Sequence, residues 1–407
     1  MRVVVATLHH FKMLPDGAVY PYSVSDYNFW RRYLTVFDEV IVYARVDKVE
    51  KVDMKNLPQK ASGPNVTFYP LPDFIGIWPY IKNYSKLSAL AKNVLRDNDA
   101  CILRIPNHLS NLLWRYLVKS RRPYGVEVVG DPWQALSPGT YKSIFRPLMR
   151  RKFTREMKAQ CQMAAVAAYV NEKELPKRYS CKCWSTYYST IDLPEEVIIS
   201  EDTIRKRIDN LERKIINKEP WNLCFIGSLW HLCKAPDVVI GAVAECIKKG
   251  LNLRITMIGG GILQPQLEDQ TRKLGISEYV RFLGQIPPGK EIFKQLDKAD
   301  LFILPSYSEG LPRSIVEAMA RGVLCIGGSE GGFAELLEKK YMVSPIDVFN
   351  LYRVITKTLS DVEGMKQAIK RNVKKAYEYR SSVLQKRREE FYSKLKNITQ
   401  EWYAKNA

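Results

Sequence analysis

The segment of this chain densest in chemistry is Leu304–Gly322, LPSYSEGLPRSIVEAMARG. An apolar run leads into Pro305-Ser306, then a short loop, then a helical stretch from Arg313 to Arg321. Glu309 and Glu317 stand eight positions apart, with Gly310 at the loop-to-helix junction. A helix start presents unpaired amide donors and a partial positive charge, a geometry that receives phosphate. A carboxylate one to two turns further on can accept hydrogen bonds from vicinal hydroxyls, as on ribose. Gly259-Gly260-Gly261 follows another strand-like run, and such a triplet lets the backbone approach a ligand closely. His9 and His10 follow the first apolar run, His108 follows the run ending at Ile105, and Asp131 follows Gly125–Val129. Ligands of doubly wound sheets bind outside strand carboxyl ends, so these residues are candidates for a cleft. Asp97-Asn98-Asp99 could hold a divalent cation, but it precedes a strand-like run, at the wrong edge of a sheet, and reads as a turn.

These residues need elements to hold them. In the front half, Val3–Thr7, Val40–Ala44, Asp99–Ile105, Gly125–Val129 and Val166–Val170 read as strands. Ser85–Arg96 and Leu109–Lys119 read as intervening helices, which indicates βα units and a parallel sheet. Residues 172–218 are poor in strand signal and end in an amphipathic helix, Glu201–Lys218. A second alternating series follows: strands at Leu223–Ile226, Leu253–Ile258, Val280–Leu283, Leu301–Leu304 and Val323–Ile326, with helices at Pro236–Lys249, Gln264–Leu274, Lys290–Ala299 and Arg313–Arg321. The predicted class is α/β, with two Rossmann-like doubly wound domains facing a cleft. The expected boundaries are 1–195 and 196–385, with a basic C-terminal helix, 386–407, packing back on the first domain.

The length, 407 residues, is enough for two or three domains at about 150 residues each. With 46% hydrophobic and 26% charged residues, wholesale disorder is excluded. No window approaches the ~20 apolar residues of a membrane span, and Met1–Leu8 is too short for a signal-peptide core. The eight cysteines form no C-x-x-C pair, and Cys181 and Cys183 have no nearby His, so zinc is not expected and free thiols are. The formal charge of +20 calls for an anionic partner.

The run Pro305, Ser306, Glu309, Gly310, Glu317, Ala318, Met319, Ala320 and Gly322 resembles the family 4 retaining glycosyltransferases, which have the GT-B fold. That resemblance implies a sugar moved from a nucleotide-diphosphate sugar to a hydroxyl of a glycan or polyprenyl-diphosphate-linked acceptor. It would place Glu309 beside the donor sugar, Glu317 on the ribose, and the backbone at Gly310 and Leu311 near sugar and diphosphate. Leu311 stands where the family often has an aromatic residue. Phe225–Lys234, FIGSLWHLCK, resembles the family's Gly-Arg…Lys turn, whose cations neutralise the leaving diphosphate. Gly227 and Lys234 fit; Ser228 replaces the arginine, and Arg313 is a candidate substitute. Gly260 falls in the equivalent of an I-G-x-G turn, and Gly17 in the loop where the family usually has a glycine-rich turn against the diphosphate. Gly327–Glu335 resembles the loop lining the sugar pocket. Many members have a His where Gly130 and Asp131 stand here, which makes Asp131 a candidate beside acceptor or sugar. His9, His10 and His108 would lie on the acceptor side. No metal and no cofactor are implied. A sugar-nucleotide epimerase on the same fold, or a binding protein that has lost catalysis, is the alternative.

Lys142–Lys158 carries seven basic residues against one glutamate, with Phe, Leu and Met at helical spacing. Such a helix reads as a membrane-surface element centred on Arg150, Arg151 and Lys152. No nucleic-acid module is present. The expected place is the cytoplasm, peripheral on the inner face of the cell membrane, with a role in surface polysaccharide or O-antigen assembly.

Overall fold

A computed structural model of the chain describes all residues except 23–24, 51–58, 73, 75–76, 138–142, 308, 346 and 407. Lys142, the first residue of the basic stretch, therefore lies outside the described residues. The chain divides into two compact units: Met1–Pro132 with Arg151–Tyr188 and Gln385–Ala407, and Trp133–Arg150 with Ser189–Leu384.

The first unit is built on β1 (Arg2–Met13), β2 (Val19–Pro21), β3 (Glu39–Lys48), β4 (Val66–Leu71), β5 (Ala100–Ile105), β6 (Gly125–Val128), β7 (Val166–Tyr169) and β8 (Trp184–Tyr187). Their order is β4-β3-β1-β5-β6-β7-β8, all parallel, with β2 antiparallel on β1. The middle strands are buried along their whole length, as expected where helices cover both faces. The sequence reading missed β2, β4 and β8. Two of these, β4 and β8, are edge strands, and β4 contains Pro70, which an edge tolerates.

The first strand also departs from expectation. It does not end at Thr7 but continues, with an irregularity between Ala6 and His10, to Met13. His9 and His10 therefore lie on a strand, not in a loop after one. Asp16 and Gly17 form the turn of the β1–β2 hairpin: Asp16 Oδ1 accepts from the Ala18 amide at 2.8 Å, and Gly17 takes φ +81°. Nothing lies within 4 Å of a Cβ placed on Gly17, so this glycine is required by its φ and not by close packing.

The second unit carries β9 (Trp221–Ile226), β10 (Leu253–Ile258), β11 (Val280–Phe282), β12 (Leu301–Leu304), β13 (Leu324–Gly328) and β14 (Met342–Val343). The order is β11-β10-β9-β12-β13-β14, all parallel. Every strand predicted in this half is present, and the helix Glu201–Asn217 begins at Ser200, whose side chain caps the Thr203 amide at 3.4 Å.

The first core is organised around a buried carboxylate. Glu127 on β6 is 2% exposed and pairs with Arg104 on β5, itself 6% exposed. Tyr33 and Tyr188 donate to the same carboxylate at 2.9 and 2.7 Å. Burial, and then the Glu127 charge, hold the Tyr33 phenol well above its ordinary pKa, so it remains a donor. Tyr392 of the C-terminal helix (Ser381–Asn406) stacks on Tyr33 at 4.8 Å, and Lys396 donates to the Val36 carbonyl at 2.8 Å. Gly125 is pressed by the same helix: a Cβ there would sit 2.9 Å from the Phe391 ring. Breaking a buried ion pair by removing one partner strands the other charge, at a cost of about 3–5 kcal/mol. Glu127→Leu should lower unfolding stability by about that amount, and Tyr188→Phe by about 1 kcal/mol, measured by urea denaturation.

Candidate functional site

In the second sheet the strand order reverses at β9, with β10 on one side and β12 on the other. Ligands of such sheets bind outside the carboxyl ends at that point. The four turns that follow β9, β10, β12 and β13 meet there, and they meet through glycine. A Cβ on Gly259 would lie 1.9 Å from the Gly227 carbonyl oxygen, and one on Gly261 would lie 2.1 Å from the Leu229 carbonyl carbon. A Cβ on Gly328 would lie 2.4 Å from the Ser306 carbonyl oxygen, and one on Gly332 2.3 Å from that of Gly310. Hydrogen bonds join the same turns: Leu229 to Gly260 at 3.0 Å, Tyr307 to Cys233 at 2.9 Å, and Gly332 to Glu309 at 3.0 Å. The Ser306 hydroxyl also donates to the Cys233 carbonyl at 2.9 Å.

This zipper brings Lys234 from the β9 turn onto Glu309 of the β12 turn, and the two form an ion pair. Both are largely enclosed, with side chains 25% and 12% exposed. Glu309, Gly310 and Leu311 precede the helix Arg313–Ala320, whose start has no side-chain cap. The amides of Arg313 and Ser314 therefore remain donors for a ligand, while that of Ile315 donates to the Pro312 carbonyl at 3.2 Å. Pro312 occupies the cap position and has no amide hydrogen to give. Leu311 is buried, while Arg313 is exposed. Glu317, half-buried on this helix, has no hydrogen bond or ion pair among the described residues. Burial pushes its carboxyl up to about 7, with Arg313 pulling the other way. Ser228 is exposed, and its hydroxyl accepts from the Trp230 amide at 3.4 Å. Gly227, Gly260 and Ser228 all lie on the joined turns.

The residues expected from the front half are placed differently. Asp131 is 6% exposed, and its carboxylate is engaged by Arg178 and by the Tyr179 hydroxyl, the latter at 2.5 Å. It anchors the end of β6 to the segment around the helix Glu174–Arg178. No short-range spacing links Asp131 to residues 178 and 179; only the fold does. His9 shares a 2.6 Å hydrogen bond with Ser25, and His10 lies edge-on to Tyr22. His108 opens the helix His108–Lys119 and packs between Tyr80 and Phe153. Crowding, with Arg45 and Lys152 nearby, holds its pKa below the ordinary value. Gly17 is in the hairpin turn already described, directly after the extended first strand.

The basic helix is Arg146–Met163. Arg151 and Lys152 are exposed, as are Ile144, Phe145 and Leu148 at 88%, 62% and 67%. Arg150 is not a free surface cation. Its guanidinium lies 3.6 Å from the Trp133 ring centre and donates to the Trp133 carbonyl at 2.7 Å and the Ser137 hydroxyl at 3.2 Å. The Asp97–Asp99 segment is a turn, with Asn98 at φ +62° and Asp99 paired to Arg2 at 2.5 Å. Among the described residues, no group of three or more His, Cys, Asp or Glu is placed to hold a metal ion, all eight cysteines are free, and no helix is long and apolar enough to cross a membrane.

Residues 206–376 match the family described as glycosyl transferases group 1. Protein CapJ of Staphylococcus aureus is 26% identical over 383 residues, covering 94% of this chain and 93% of that protein. The amylovoran biosynthesis glycosyltransferase AmsK of Erwinia amylovora is 29% identical over 150 residues, about a third of each chain (35% and 36%). Among solved structures, Anabaena HepE in complex with UDP and glucose superposes with a TM-score of 0.60 at 15% identity, covering 100% of this chain and 99% of that one. The parallel sheets, the joined turns after β9, β10, β12 and β13, and the matched segment all fall together: residues 206–376 are similar to the group 1 glycosyltransferases, and the chain has the GT-B fold.

Proposed function

We propose that the turns after β9, β10, β12 and β13 bind a nucleotide-diphosphate sugar, and that the chain transfers the sugar to a glycan or lipid-linked hydroxyl with retention of configuration. The observation that carries this reading is the meeting of Lys234, Glu309 and the uncapped helix start at one point of the sheet edge, with the unpaired carboxylate of Glu317 further along the same helix. Lys234 and the helix amides take the charge of the departing diphosphate. Glu309 holds the sugar, and Glu317 accepts from the ribose hydroxyls. The departing phosphate oxygen faces the positive charge that develops on the sugar and takes the acceptor proton, and no metal is needed. HepE, crystallised with UDP and glucose, supports the donor class, and AmsK supports a role in surface polysaccharide assembly.

Calorimetry with UDP, GDP and ADP, with and without Mg²⁺, should find one tight nucleotide whose affinity ignores the metal. Lys234→Ala should weaken it about ten- to a hundred-fold, the worth of a charge-assisted hydrogen bond. Glu309→Ala should cut turnover strongly; near wild-type activity would remove that loop from the site. Absence of binding to all three nucleotides would favour a protein that has lost catalysis, and Ser228→Arg would then be the first reversion to make.

Glu317 gives the site a pH dependence of defined sign. Its folded pKa of about 7 lies above the value of 4.5 for an exposed glutamate, so the folded chain prefers the proton. The associated stability is fully present below the ordinary pKa and is lost as pH rises through about 7. A ribose diol instead needs the carboxylate as acceptor. Nucleotide affinity should therefore rise between about pH 6 and 8, with proton release on binding at the lower end. Calorimetry in buffers of different ionisation enthalpy reads this directly, and Glu317→Gln should flatten the profile.

The basic helix supplies the membrane part of the reading: a protein on the cytoplasmic face of the cell membrane, held by Arg151, Lys152 and the exposed Ile144, Phe145 and Leu148. Vesicles containing anionic lipid should carry the protein upward in a flotation gradient at low salt, and neutral vesicles should not. Reversing Arg151 and Lys152 to Glu should release it; equal flotation with both vesicle types would refute the idea.

A further inference from the structure

Gln134 was not singled out by any motif. It lies on the short helix Pro132–Ala135, in the segment that belongs to the second unit. The residue is only 6% exposed; its carboxamide makes no hydrogen bond among the described residues, and its polar atoms are not wholly shut off from solvent. A primary amide offers two donors and an acceptor, and here they remain available to a ligand. Its direction is fixed by Gly331. A Cβ on Gly331 would lie 3.1 Å from Gln134 Oε1 and 2.2 Å from the Glu309 carbonyl oxygen. The amide thus reaches the corner where the β12 and β13 turns are joined by the Gly332–Glu309 hydrogen bond.

The carrier of this side chain is held firmly. Arg150 covers the Trp133 ring and binds the Trp133 carbonyl and the Ser137 hydroxyl. Arg146 donates to the Leu136 carbonyl at 3.1 Å, and the Ser137 amide closes on the Gln134 carbonyl at 2.9 Å. Two arginines that a charge count assigns to the surface therefore fix the turn on which Gln134 sits.

We propose that Gln134 is a specificity-determining residue for the donor, its carboxamide taking hydrogen bonds with hydroxyls of the hexosyl group held beside Glu309. This rests on the donor-site reading given above and adds to it a residue that reads the sugar and not the nucleotide. An amide that both donates and accepts distinguishes sugars by the direction of their hydroxyls, because a site built to bond a hydroxyl is left unmatched when the hydroxyl points elsewhere.

The test compares wild type, Gln134→Leu and Gln134→Asn. Calorimetry measures the tightest of UDP, GDP and ADP, then the glucose, galactose and N-acetylglucosamine conjugates of that nucleotide, and a thermal melt accompanies each variant. The affinity ratio of conjugate to bare nucleotide isolates the sugar. Gln134→Leu should leave the bare nucleotide within about twofold of wild type and the melting midpoint unchanged or raised. It should weaken the preferred conjugate about fivefold or more and narrow the spread among the three sugars, and the shorter Gln134→Asn should do the same in part. A sugar-to-nucleotide ratio that Gln134→Leu leaves unchanged for all three conjugates overturns the inference alone. A parallel loss for nucleotide and conjugates, with a lowered melting midpoint, also overturns it, since that is the signature of a scaffold residue. Failure of the wild type to bind any of the nucleotides overturns the donor-site reading and this inference with it.

Discussion

The second unit depends on backbone approaching backbone with no side chain between. At 1.9 Å, the Gly227 carbonyl oxygen stands where a Cβ on Gly259 would have to be, and Gly261, Gly328, Gly331 and Gly332 meet neighbouring turns in the same way. A β-carbon at any of these would push one turn off the next. The separation lost would be the one that lets Lys234 of one turn reach Glu309 of another. Gly259, Gly261 and Gly331 also have positive φ, which other residues adopt at a cost. The Lys234–Glu309 pairing at this edge is therefore a consequence of steric absence.

Glu127, Asp131 and Glu317 show how differently carboxylates are placed in this fold. Glu127 is saturated: Arg104, Tyr33 and Tyr188 all point at it, and the C-terminal helix packs over the assembly through Tyr392. Nothing is left for a ligand, and the group acts as a pin for the first core. Asp131, held by Arg178 and Tyr179, belongs to the same class. Glu317 is the reverse case. It is enclosed enough for its carboxyl to be pushed up to about 7, yet it has no partner among the described residues. Its oxygens remain free to accept from a ligand.

The basic stretch shows that charge along a sequence does not have one destination. Arg151 and Lys152 are solvent-facing, whereas Arg150, their neighbour, is spent on the Trp133 ring and two oxygens of its own unit. Helical rotation separates these fates within three residues, because successive side chains point about 100° apart. The same contacts set the turn that carries Gln134.

Much was decided by the sequence alone. The alternation of short apolar runs with helical stretches specified two parallel sheets, since strands buried on both faces must be apolar throughout. The dense spacing Pro305, Ser306, Glu309, Gly310 and Glu317 placed the candidate site in the second unit, because loop, helix start and carboxylate are contiguous in the chain. Other features were invisible there. The hairpin that absorbs His9, His10 and Gly17 depends on pairing of β1 with β2, and the edge strands β4 and β8 carry a weak pattern because one side lacks a neighbour. Whether a polar residue is a site or a strut was settled only by tertiary structure. Asp131 stands at a strand end as a candidate beside acceptor or sugar, but residues 47 and 48 positions away engage its carboxylate. Gln134 carried no signal, and it faces the Glu309 turn only because Gly331, 197 positions later, leaves it room. Local spacing encodes what one turn of backbone can present; long-range packing decides which polar atoms have already been satisfied.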